Sequence, residues 1–224
     1  MNPVTKLPLS MKENTATAIT CAFVDVGGVL LTNAWDRHVR KRAAMNFNLD
    51  LDEMEDRHYL NFNTFEEGKI TLDEYLSRVI FYQKRSFTRT QFLSFMFAQS
   101  KPYPEMIELI AQLKIRRGLK IVVVSNSGRE LIEYRIQKFR LDRFVDSFIC
   151  SCFVHIRKPD KDIFRLALDV AQVQAQQVVY IENTPMFVQI AEDLGIQGIV
   201  HTDYNSTCAK LASFGLQHEQ VGIP

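Results

Sequence analysis

Four polar clusters in this chain each follow a short apolar run. The run at 20–26 (TCAFVDV) holds Asp25 and leads into Gly27 and Gly28. The run at 120–124 (KIVVV) ends in Ser125-Asn126-Ser127-Gly128. Beyond the run at 147–150 (SFIC) comes Arg157-Lys158-Pro159-Asp160, and 177–181 (QVVYI) ends in Glu182-Asn183-Thr184-Pro185. Their chemistry is complementary. Asp25 can serve as a nucleophile or as a metal ligand. The two glycines allow a sharp turn and a close approach of backbone to ligand. Ser125 and Asn126, just ahead of a helix, can cradle a phosphate through hydroxyl, amide and backbone N–H groups. Lys158 stands near a helix start, where the macrodipole disfavours a cation unless an anion is bound there. Glu182 can complete a hard-cation site with Asp25 and a backbone carbonyl, the sparse protein ligation that Mg²⁺ accepts. Singly, each residue reads as a cap, a turn or a solvated charge. In this order and together, they point to anion chemistry in one crevice.

Bringing the four clusters together requires a parallel α/β sheet, in which ligands sit beyond the carboxyl ends of the strands. The sequence supplies one. The four runs, and a fifth at 198–201 (GIVH), are mostly β-branched and alternate with helical patterns at 104–117, 129–139, 161–171 and 186–194. Leu109, Ile110, Leu113 and Ile115 give the first of these helices an apolar face, and Arg117-Gly118 and Leu194-Gly195 are stop signals. The interval 33–101 breaks the alternation. It has no convincing strand and shows helical spacing at 34–45, 51–65, 72–83 and 90–99, with Thr71 as a cap ahead of Asp73 and Glu74. Phe81, Tyr82, Phe92, Phe95 and Phe97 are expected in the core of that four-helix insert. Lys101-Pro102-Tyr103-Pro104 is a stiff return to the sheet. The expected organisation is a flexible tail at 1–18, a doubly wound Rossmann-like α/β core from 19–32 and 102–224, and a helical insert at 33–101.

The chain has 224 residues, 46% hydrophobic and 24% charged, which suits one large domain or a core with an insert. Its net charge of +1 supplies no basic field, so nucleic acid is not an expected partner. Cys21, Cys150, Cys152 and Cys208 lack the spacing of a disulfide framework or a zinc site. They read as reduced thiols on buried strands, and the expected location is cytoplasmic. No apolar run reaches membrane-spanning length.

The ordered clusters resemble the haloacid dehalogenase (HAD) superfamily. FVDVGGVLLTN resembles its first motif, a strand followed by D-x-D-G; IVVVSNSG the second; IRKPDKDIFRLAL the third; and VVYIENTPMFVQIAEDLG the fourth, an acidic pair before a helix ending in Leu-Gly. The insert lies where that family carries a helical cap, and EEGKITLDEYLSRVI is similar to caps of the subgroup with the epoxide-hydrolase N-terminal domain and bacterial sugar-phosphate phosphatases. The resemblance implies a phosphohydrolase of a small phosphorylated metabolite. Asp25 would form an aspartyl-phosphate, Ser125 and Lys158 would hold the phosphoryl oxygens with Asn126 and Gly28, and Mg²⁺ would lie among Asp25, the Gly27 carbonyl, Glu182 and Asn183. Three positions depart from the pattern: Gly27 replaces the acid that protonates the leaving group, Asn183 replaces the second acid of the pair, and Phe187 stands where a small polar residue is usual. Losing a general acid commonly costs about 10²- to 10⁴-fold. Leaving groups that depart unprotonated need no such acid, and Asp36, His38 or His58 from the cap are candidate substitutes. The alternatives are a catalytically silent binding protein on the same scaffold and a metal-free 2-haloacid dehalogenase.

Overall fold

Alternation along β1 (Cys21–Val24) sets the layering. Ala22 and Val24 join one buried cluster with residues of α5 (Pro104–Arg117), α6 (Arg129–Lys138) and α10 (Tyr204–Ser213). Cys21 and Phe23 face the opposite cluster, with α8 (Asp162–Ala171) and α9 (Pro185–Glu192). A strand buried on both faces has no solvent side, which is why its sequence reads as a continuous apolar run. The remaining strands are β2 (Lys120–Ser125), β3 (Ser147–Cys150), β4 (Val178–Glu182) and β5 (Gln197–Val200). All pair in parallel in the order β3-β2-β1-β4-β5. This computed structural model describes residues 18–216, so the expected tail lies outside the described residues except for Ala18.

Between β1 and α5 stand α1 (Arg37–Phe47), α2 (Leu51–Glu66), α3 (Leu72–Val79) and α4 (Arg89–Ala98), with their own apolar cluster around Tyr75, Leu76, Phe92 and Met96. Thr71 closes a capping box with Glu74 at the start of α3, as its sequence suggests. Leu131 of α6 enters the same cluster and seats the insert on the sheet layer. Polar ties add to it: Arg157 grips Glu66 at 2.7 Å and Leu72 N–H donates to Glu130 at 2.9 Å.

Several local expectations need correction. The helix expected at 72–83 stops at Val79, because Ile80 takes the cap and residues 81–88 wrap the aromatic cluster without helical bonds. Phe81, Phe92, Phe95 and Phe97 do pack into the insert's core, but Tyr82 lies outside it, stacked under Arg57 at 3.4 Å with its hydroxyl donating to Glu53. Ile115 is 74% exposed, since α5 turns only Met106, Leu109, Ile110 and Leu113 inward. Cys21 and Cys150 are on strands, while Cys152 lies on the four-residue turn α7 (Ser151–Val154) and Cys208 on α10. No helix among the described residues is long and apolar enough to cross a membrane.

Candidate active site

The strand order reverses direction between β1 and β4, and the crevice of a doubly wound sheet opens at that switch. Parallel register sets Val24 opposite Ile181, so the next residues, Asp25 and Glu182, leave the sheet side by side. Ser125 ends β2 on the other side of Asp25. Lys158, on the loop before α8, reaches between them and is 1% exposed. Its ammonium donates to Glu182 Oε2 at 2.6 Å, to Val124 O at 3.1 Å and to Tyr180 Oη at 3.1 Å. Asp25 Oδ1 is 3.3 Å from the same nitrogen, a contact too poorly directed to count as a hydrogen bond, and this buried oxygen has no other partner. Ser125 and the Val26 amide lie beside the Asp25 carboxylate and favour its charged form.

Burial, and then the Glu182 charge, raise the Asp25 pKa to about 6 against the pull of Lys158. Burial works against the Lys158 charge as well, but Asp25 and Glu182 outweigh it and hold the ammonium above its usual range. At neutral pH the floor of the crevice is therefore a charged lysine between two carboxylates. The Phe187 ring centroid is 5.1 Å from the Lys158 nitrogen, close enough for a cation–π contact.

Two predicted phosphate ligands have other employment. The Asn126 amide is engaged by the Lys158 backbone, donating to its carbonyl at 2.8 Å and accepting from its N–H at 2.9 Å. It positions the lysine loop and keeps one amide N–H on the cavity side. Gly28 sits at φ +81°, where only glycine is comfortable, and a Cβ there would lie 2.2 Å from the Asn183 amide. Its N–H is spent on Leu31 O, so Gly28 contributes room and not a donor. Tyr180, by contrast, escaped the sequence reading: it bonds both Lys158 and Glu182, and its only signal was a hydroxyl in an otherwise apolar strand.

The expected metal ligands converge. Hydrogen bonding orients the Asn183 amide with its nitrogen 3.2 Å from Gly27 O and 2.9 Å from Glu182 Oε1. Turned over, the amide would present its oxygen at the same point. Neighbouring ligands of an octahedral Mg²⁺ are about 2.9 Å apart, from metal–oxygen distances of about 2.05 Å. After one amide rotation the Asn183 oxygen would stand from Gly27 O and Glu182 Oε1 at about the spacing of neighbouring Mg²⁺ ligands. The set is sparse in acid: among the described residues no group of three or more His, Cys, Asp or Glu side chains is placed to hold a metal.

Over this floor lies a cavity of about 390 Å³, roofed by the insert through Trp35, Arg40, His58, Phe62 and Phe65. Of the cap residues considered as substitute acids, Asp36 caps α1, accepting from Val39 N–H at 2.8 Å. His38 is exposed and lines a separate groove with Lys101 and Tyr103. His58 faces the cavity, but the Trp35 indole N–H donates to Tyr75 Oη at 2.8 Å, which leaves the tyrosine proton to point at His58 Nδ1, 2.7 Å away. Burial, with help from Arg40, lowers the His58 pKa to about 4, so it carries no proton to donate at pH 7. A depressed folded pKa means stability that is complete above pH 6.5 and lost as pH falls towards 4. His58→Gln should flatten that part of the stability profile, removing an acid-side loss of at most about 3 kcal/mol. Chemical denaturation between pH 7 and 4.5 checks this, and unchanged steepness in the variant would refute it.

With the geometry in place, comparison with known proteins is informative. The pattern of the haloacid dehalogenase-like hydrolases matches residues 19–201. The chain belongs to that family. A phosphorylated carbohydrates phosphatase of Thermotoga maritima is 27% identical over 139 residues, covering 61% of this chain and 60% of the relative. An (S)-2-haloacid dehalogenase 4A of Burkholderia cepacia is 28% identical over 102 residues, covering 46% of this chain and 41% of the relative. The chain thus spans less than two thirds of either relative. A HAD family enzyme of Bacteroides thetaiotaomicron, solved with magnesium and inorganic phosphate, superposes with a TM-score of 0.70 at 17% identity, covering 85% of this chain and 99% of that one. At that identity the likeness speaks to fold, and it agrees with the Rossmann-like HAD core described above.

Proposed function

We propose that this HAD hydrolase is a phosphohydrolase acting on a small phosphorylated metabolite through an aspartyl-phosphate at Asp25. The observation that carries the reading is the buried Asp25 carboxylate at the floor of a cation-lined cavity, its Oδ1 accepting no hydrogen bond and facing only the Lys158 ammonium at 3.3 Å. A buried carboxylate oxygen left without a donor is costly unless it has work to do. Asp25 attacks phosphorus, the bond from phosphorus to the leaving oxygen breaks with its electron pair on that oxygen, and water later cleaves the acyl phosphate to free phosphate and Asp25. Ser125 holds a phosphoryl oxygen, and Lys158, its three N–H groups spent on Glu182, Val124 O and Tyr180, offsets the phosphoryl charge through its field. Mg²⁺ held by Asp25, the Gly27 carbonyl, Glu182 and Asn183 would supply charge neutralisation for the phosphoryl group. The mixed aromatic and cationic roof suits an organic phosphate with an apolar or planar body.

The test is phosphate release from acetyl phosphate and p-nitrophenyl phosphate with Mg²⁺. Asp25→Asn should lower it at least about 10³-fold. Equal turnover by wild type and variant overturns the reading. Chloride release from 2-chloropropionate without any phosphate release would overturn it too, by moving the attack from phosphorus to carbon.

A further inference from the structure

Arg135 is 4% exposed on α6 and faces the cavity beside Asp25 and Gly27. Its Nε donates to Ser100 Oγ and its Nη2 to Thr32 O, both at 3.1 Å. Nη1 has no protein hydrogen bond among the described residues and lies 3.8 Å from where a Cβ on Gly27 would stand. Of the other cations lining the cavity, Arg40 bonds Glu55 at 2.7 and 2.9 Å, Arg157 bonds Glu66 at 3.0 and 2.7 Å, and Arg37 is solvent-exposed at the rim, so Arg135 is the buried one left without a carboxylate. Among the described residues Arg135 has no carboxylate within ion-pair distance; Asp25 reaches it only through its field. A buried guanidinium fixed at two nitrogens, with a third pointing into a cavity, is pre-organised for an anion.

Its location says which anion. Glycine at position 27 removes the side chain that would protonate a leaving group, and the vacated volume faces Nη1. Positive charge there can stabilise an oxygen that departs without a proton. We propose that Arg135 binds the leaving group, and that the substrate is a phosphoric anhydride, such as an acyl phosphate or a diphosphate, whose leaving group departs as an anion. The proposal rests on the phosphohydrolase reading. Asp25 bonds to phosphorus, the anhydride P–O bond breaks, and the electron pair stays on the departing oxygen against the guanidinium, with no proton transferred.

The experiment measures the first burst of phenolate from aryl phosphates of graded leaving-group acidity, with acetyl phosphate and an alkyl phosphate alongside, using wild type, Arg135→Gln, Arg135→Lys and Asp25→Asn. Wild type should turn over acetyl phosphate at least 100-fold faster than the alkyl phosphate. Arg135→Gln should slow the burst about 100-fold, the loss growing as the leaving group becomes more basic, and Arg135→Lys should recover part of it. Arg135 also braces the Thr32–Ser100 junction, so a uniform loss is what a merely structural role would give. Parallel dependences on leaving-group acidity in wild type and Arg135→Gln overturn this inference while leaving the Asp25 reading intact. A burst unaffected by Asp25→Asn overturns the Asp25 reading instead.

Discussion

Lys158→Met should destabilise the protein by about 3–5 kcal/mol at pH 7, a loss large enough to see directly in chemical denaturation. The ammonium is the only group holding the Asp25 and Glu182 carboxylates together in a space almost closed to water. Methionine fills the volume but removes the pull that keeps Asp25 ionised, so the two carboxyls must either repel each other or have Asp25 take up a proton, and Tyr180 has one partner fewer. Electrostatics, not lost packing, should dominate. Lys158→Met with Glu182→Gln therefore recovers about half the loss, because one of the two stranded charges is gone, and the double-mutant cycle shows strong coupling. A single-variant loss below about 1 kcal/mol would mean that the trio is well hydrated and that the floor is not the dry, charge-balanced site described above. Lys158→Arg is not expected to rescue: the guanidinium is too broad for a slot formed by three oxygens at 2.6–3.1 Å.

The parts of this molecule that were legible in its sequence are those fixed by short-range physics. The central strands β1, β2 and β4 were visible because burial on two faces demands a run of β-branched and apolar residues, as in VVV at 122–124 and VVYI at 178–181, and the partly exposed edge strands β3 and β5 followed from the alternation around them. Asp25, Ser125, Lys158 and Glu182 could be singled out because strand ends in such a sheet share one rim. What failed depended on contacts made across the fold. α10 has no clear apolar stripe, only Thr207 and Leu211 being buried, and nothing in 204–213 announced it. The bonds of the Asn126 amide to the backbone of a loop 32 residues away were likewise invisible in the sequence. Arg135 was lost among Arg129, Lys138 and Arg140. A signal did exist: it shares a helix face with Leu131 and Ile132, and a cation on the buried face of a helix calls for a reason.

That arginine also decides what happens when the missing acid is put back. Gly27 does not occupy the left-handed region, so its backbone accepts a side chain, and the nearest obstacle to a Cβ is the movable end of Asn33 at 2.8 Å. Gly27→Asp should therefore fold. It should nevertheless fail to create a general acid. The guanidinium of Arg135 would hold the pKa of a carboxyl there down, keeping it ionised at pH 7 with no proton to give. It would also neutralise the guanidinium, so turnover of an acyl phosphate should fall while that of phenyl phosphate, whose basic leaving group needs a proton, barely rises. Removing the cation should reverse the outcome. Gly27→Asp with Arg135→Gln should hydrolyse phenyl phosphate at least about 100-fold faster than Arg135→Gln alone, the ordinary worth of a placed acid. A 100-fold gain from Gly27→Asp in the presence of Arg135 would show that the guanidinium does not govern this corner of the cavity. The expected pattern instead makes glycine at 27 and arginine at 135 two halves of one choice, charge in place of a proton on the side where the leaving group departs.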